Sequence, residues 1–209
     1  MIAGWAATIG SSLFVVVFTL EGLLRPGYHP RAMHVSALSL GPRGWIQKAN
    51  FIVLGFLLLL AAWGIGTGFP GGGPSRAGLI LLGIVAFLFV VSGVFVMDPA
   101  ATPQGQATAS GIVHGLAGGI IFLLMPITMF VFLRGFGLDP GWGTMPSWTL
   151  VLGTVEAVAV LVFIVASRSP RLERAVSGWI GLIQRAALVP FMVWLFVFGV
   201  QILGYMKPA

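Results

Sequence analysis

Cysteine is absent from the sequence, which excludes disulfides, thiolate metal ligands and a thiol nucleophile together. Charge is almost as scarce: Asp, Glu, Lys and Arg make up 8% of the chain, against about a quarter in a soluble domain. Acidic residues number 5, so each carboxyl group stands out and asks for a reason. Strict apolar/polar alternation is also missing. The greasy segments are apolar on every face, which argues against a β-barrel.

What the chain has instead is hydrophobicity: 58% of residues and a mean hydropathy of +1.04. A spanning helix needs roughly 20 apolar residues rising 1.5 Å each. Six segments meet that requirement, at about 2–24, 45–67, 77–97, 111–133, 147–166 and 178–205. The expected fold is all-α, a polytopic membrane protein with six transmembrane helices in one bundle and a single domain over 1–209. The first segment has no basic residue ahead of its apolar core, and that core is too long for a signal peptide. It reads as the first span.

The net charge is +6, yet the basic residues sit in loops or at helix ends, a pattern that fits membrane orientation and not nucleic-acid binding. Loops one, three and five hold Arg25, Arg31, Arg43, Arg168, Arg171 and Arg174, with Lys48 and Arg185 just inside helices on that side. The other side has Arg76, Arg134 and Lys207. The imbalance predicts loops one, three and five in the cytoplasm. Loop four is expected to place Trp142 and Trp148 at the membrane interface, and loop five to lay Arg171 and Arg174 against lipid phosphates.

Polar residues gather on the face of loops one, three and five. Asp98 closes the third segment, and His114 lies about one turn into the fourth. Arg185 is about two turns into the sixth, and Glu21 is near the same rim. A charge at membrane depth seeks a partner, so Arg185 is expected to point toward Asp98 and the His114 end of helix four, with Glu21 as the other available carboxylate. Ser36 and Ser39 share a face of any helical turn in loop one, and Trp45 follows at interface depth. His114 as a general base, Ser36 or Ser39 as nucleophile and Asp98 as orienting carboxylate form one possible arrangement. Capping serines and a structural histidine form the other. The expected wall is helices three, four and six, with loop one as a lid.

No cofactor is specified. His114, Asp98 and either His29 or His34 could converge on a metal, but no HxxxH or HExxH spacing supports one, and a bis-histidine haem lacks its second helical histidine. Gly111, Gly115 and Gly119 recur every four residues as a seam open to another helix or a second copy. Glu156 lies mid-span in the fifth segment and is expected to be buried, uncharged and hydrogen-bonded. Pro126 and Pro190 are expected to interrupt helices four and six and to free carbonyls for it.

The succession LLRPGYHP, SALSLGPRGWIQKANFIVLG, MDP, SGIVHGLAG and GLIQRAALVPFMVWL resembles the DUF998 family over essentially the whole chain. The resemblance implies a six-helix membrane protein of bacteria or archaea, hence a prokaryotic plasma membrane, with no assigned reaction. Its motif residues fall here on Ser36, Ser39, Gly41, Trp45, Gln47, Asn50, Asp98, Pro99, His114, Gln184 and Arg185. Members often carry a cysteine beside the Asp-Pro, and this chain does not. Residues and resemblance together leave two function classes. One is a membrane-embedded hydrolase or transferase, with Arg185, Gln184, Trp45, Asn50, Arg43 and Glu21 around the polar end of a lipid-like substrate. The other is a non-enzymatic binder or small transporter of an amphiphile. An assembly protein joined through the glycine seam is a weaker third.

Overall fold

In a bilayer the backbone has no water to bond, and a helix satisfies it locally. The computed structural model describes residues 1–69, 73–100, 102, 103, 105–168 and 170–205, with side chains at all of these except 168, 170 and 173. Within them the chain forms α1 (Ile2–Leu24), α2 (Gly44–Gly68), α3 (Arg76–Val94), α4 (Ala109–Leu138), α5 (Met145–Arg168), α6 (Pro170–Val176), α7 (Ile180–Ala186) and α8 (Val189–Tyr205), and no strand. Six stretches are long and apolar enough to cross a membrane: α1 to α5, and α7 with α8 as one. The protein is therefore a multi-pass membrane protein with lipid around its outer surface. Lys207, counted above for orientation, and the side chain of Arg168 lie outside the described residues.

The spans close into a ring. α1 packs between α2 and α8, α2 against α3, α3 against α4, α4 against α5, and α5 against α7 and α8. Ala6, Ala7 and Ala61 let α1 and α2 approach closely, the way small residues work where lipid removes any hydrophobic gain from pairing. Aromatic rings fill the middle. Toward loop four, Phe132, Phe136, Trp142, Trp194 and Phe198 interlock, with Phe136 and Phe198 centroids 5.2 Å apart. Trp142 is only 2% exposed, so it is a core residue and not an interfacial anchor, while Trp148 stays 43% exposed. Toward loop one the same role falls to Phe14, Phe18, Phe51 and Phe89.

Three boundaries differ from the sequence expectation for local reasons. α3 stops at Val94 instead of 97, because α4 side chains take over the backbone beyond it: the Ser110 hydroxyl both accepts from Val96 N–H and donates to its carbonyl. α4 runs to Leu138 without interruption, and Pro126 sits inside it. The last span does break. α7 ends at Ala186 and α8 begins at Val189, since Pro190 has no N–H to carry the ladder across.

Candidate functional site

Loop one is fastened to the bundle by Arg185. Its Nη1 donates to the carbonyls of Pro30 (2.7 Å), Met33 (3.1 Å) and Gly181 (2.9 Å), and its Nη2 to the Tyr28 hydroxyl (2.7 Å). Tyr28 in turn donates to the Met33 and His34 carbonyls at 3.1 and 3.0 Å. Burial pushes the Tyr28 phenol above its ordinary range, opposed in part by the guanidinium beside it, so it stays a donor. A glycine is required at 181, because a Cβ there would run into the Pro30 and Met33 carbonyls. One residue before the arginine, Gln184 Oε1 accepts from Val35 N–H at 2.7 Å and fixes the start of the 3-10 turn Val35–Ser39. Ser39 donates to the Ser36 carbonyl at 2.7 Å and is spent on that turn.

Glu21, 4% exposed, pairs with Arg25 at 2.8 Å and with Arg43 at the far end of loop one. The expected pairings of Arg185 with Asp98 or Glu21 are thus corrected: a guanidinium that meets four oxygens of loop one and α7 needs neither carboxylate. Asp98 instead organises the start of α4. Its two oxygens accept from Thr108 N–H (2.9 Å) and the Thr108 hydroxyl (2.7 Å), and Thr108 itself caps α4 by accepting from Gly111 N–H at 3.0 Å. Gly111 is glycine because a Cβ would collide with the Asp98 carboxylate.

His114 reaches back to the end of α3, where Nδ1 lies 2.8 Å from the Phe95 carbonyl and 3.2 Å from that of Ser92. Carbonyl oxygens only accept, so the geometry puts a proton on Nδ1, and in the neutral imidazole the lone pair is then on Nε2. Nε2 carries no hydrogen bond among the described residues.

These elements enclose a cavity of about 700 Å³ between the first half of α4 and the last turns of α5. Ser36, Asp98, His114 and Gln184 line it, together with His34, Ser167 and the ring of Phe163. Ile112, Leu116, Ile120 and Leu123 also line it while being exposed on the outside of the bundle, so its mouth opens sideways toward lipid. The glycine seam is its wall: a Cβ at Gly115, Gly118 or Gly119 would meet nothing within 4 Å. Among the described residues no helix fills that seam.

A family model described as Protein of unknown function (DUF998) matches residues 8–201. The chain belongs to the DUF998 family. No curated protein and no solved structure matches it. In this DUF998 chain the candidate residues divide by task. Ser36, Asp98, His114 and Gln184 reach the cavity, whereas Arg185, Ser39, Glu21 and Arg43 hold loop one in place. Asn50 is buried against the Phe14 carbonyl at 3.1 Å and Gln47 at 3.3 Å, away from the cavity. Trp45 is 64% exposed on the outer surface. The fifth span supplies the wall expected from the third, because α3 unwinds before it reaches the pocket.

Glu156 is fully buried, as expected, but its partner differs. Oε2 accepts from the Phe191 N–H at 3.1 Å, at the start of α8, instead of meeting a freed carbonyl. It does not line the cavity. Ser167 and Phe163 were missed in the sequence because nothing about a serine or a phenylalanine ending a greasy segment marks them. His34 figured there only as a metal candidate. Among the described residues, no three His, Asp or Glu side chains are grouped to hold a metal ion.

Proposed function

We propose that this protein binds a membrane amphiphile, tail in the lateral cavity and head group at the Asp98–His114 end. The observation that carries the reading is the shape and lining of that cavity. Its walls are apolar and open to lipid, and its polar groups, Ser36, Asp98, His114 and Gln184 among them, come from loop one, the segment between α3 and α4, and the ends of α4, α5 and α7. Volumes of 300–1,000 Å³ are typical of small-molecule sites, and about 700 Å³ falls inside that range. Gly115→Leu and Gly119→Leu test it, since a Cβ at either position enters open space beside the cavity. Both variants are expected to fold with wild-type thermal stability and to lose co-purifying lipid measured by mass spectrometry. Lipid retained at wild-type levels in both would overturn the reading.

A hydrolytic or transfer reaction on the bound amphiphile has one observation in its favour. His114 and Ser36 line the same cavity, and among the described residues the His114 Nε2 and the Ser36 hydroxyl have no hydrogen-bond partner. Asp98 plays no orienting part in that version, because the α3 carbonyls already orient the imidazole. A fluorophosphonate probe is expected to label Ser36 and to lose the label in Ser36→Ala. Absence of labelling in the wild type removes the serine-nucleophile version and leaves binding intact.

For orientation, the excess of basic residues on the face of loops one, three and five supports placing that face in the cytoplasm of a prokaryotic plasma membrane. Because the chain has no cysteine, single substitutions report cleanly. Thr144→Cys, in loop four, is expected to react with a membrane-impermeant maleimide on whole cells, and Ser177→Cys, in loop five, only after lysis. The reverse pattern inverts the topology.

A further inference from the structure

We propose that the cavity selects a head group that donates hydrogen bonds and carries no negative charge, an alcohol or amine in preference to a phosphate. The proposal rests on the cavity being an amphiphile site, and it follows from how the polar end has already spent its hydrogen-bonding capacity. Asp98 is acceptor-only, and two of its lone pairs are taken by Thr108. The α3 carbonyls hold a proton on Nδ1 of His114, so in the neutral imidazole Nε2 is the acceptor left on this cavity-lining residue. Gln184 has given its Oε1 to Val35 and keeps only its amide N–H groups. The Ser36 hydroxyl can serve in either sense.

Cations are the missing ingredient of a phosphate site. Arg185, the obvious candidate in the sequence, has both terminal nitrogens on loop one, α7 and Tyr28, while Arg25 and Arg43 are held by Glu21. Among the described residues no lysine or arginine lines the cavity, and the one formally charged side chain there, Asp98, is negative. An anionic head group would lie beside that carboxylate with no compensating guanidinium, the group that usually recognises phosphate. A hydroxyl or amine would find two acceptors waiting.

The test is equilibrium binding of the full chain, in detergent at pH 8, to monoolein and to oleoyl lysophosphatidate, two amphiphiles with one tail and different heads. Monoolein is expected to bind at least about tenfold more tightly. His114→Asn keeps an N–H donor for the α3 carbonyls and removes the Nε2 acceptor, so it is expected to weaken monoolein binding several-fold, up to about tenfold, and to leave lysophosphatidate unchanged. Ser36→Ala, which removes a hydroxyl that makes no hydrogen bond among the described residues, is the second reporter should His114→Asn fail to fold. Lysophosphatidate binding as tightly as monoolein overturns the head-group inference while leaving the amphiphile site standing. Binding of neither amphiphile overturns both.

Discussion

Replacing Arg185 with alanine is expected to release loop one from the bundle and to lower stability by about 3 kcal/mol, with bound lipid lost along with the fold of the loop. The guanidinium satisfies the carbonyls of Pro30, Met33 and Gly181 and the Tyr28 hydroxyl at once. Hydrogen bonds from a charged donor contribute roughly 1.5–3 kcal/mol each but are not additive within one cluster. Lysine is expected to recover little, because a single ammonium cannot spread over acceptors that a planar fork reaches together. Adding Asp98→Ala to Arg185→Ala is expected to give no rescue, since Asp98 bonds Thr108 and, among the described residues, forms no hydrogen bond or ion pair with the arginine. Thermal unfolding of both single variants, the lysine variant and the double variant decides it. Recovery of stability in the double variant would mean that the two charges are paired after all.

A second large effect is expected at Glu156, where the sixth span is broken within the membrane. Pro190 interrupts the helical ladder, α8 restarts at Val189, and the Phe191 N–H, one of the unsatisfied donors of a new helix start, is met by Glu156 from α5. Glu156→Gln keeps a side-chain oxygen at that place and is expected to stay within about 1 kcal/mol of wild type. Glu156→Leu removes the acceptor and leaves a backbone donor unpaired where no water replaces it, with an expected loss of about 1–3 kcal/mol. Unfolding in detergent orders the three proteins. A leucine variant as stable as wild type would show that the bond contributes nothing and that the carboxyl group is there for another purpose. A transport role draws no support from its position, because the lateral cavity does not extend to it.

The same logic explains why the polar end was only half legible. Asp98 and His114 stand out in the sequence because a charge or an imidazole at the mouth of a greasy segment is rare and costly, and both do reach the cavity. Arg185 stands out for the same reason, yet three of its four partners are backbone carbonyls, and two of those, with the Tyr28 hydroxyl, belong to a loop more than a hundred residues earlier. Carbonyls belong to every residue, so no pattern of side chains announces them. The glycines of α4 illustrate a second ambiguity. Their spacing shows that something must pass close to the helix, or that space must be left beside it, and spacing alone does not choose. Here the space is left.

Composition and run length by themselves determined the membrane class, the six spans and their order, because an apolar stretch of about 20 residues in a bilayer has few ways to satisfy its backbone other than as a helix. They also determined which face is polar, since serpentine connectivity sends loops one, three and five to the same side. The tertiary structure alone decided which charges pair, that the fifth span replaces the third in the cavity wall, and that Gly115, Gly118 and Gly119 border a pocket. Those outcomes depend on distances between segments far apart in the chain. Hydrogen bonds and close contacts are satisfied over a few ångströms, and only the packing of the six spans into one ring brings such groups that near.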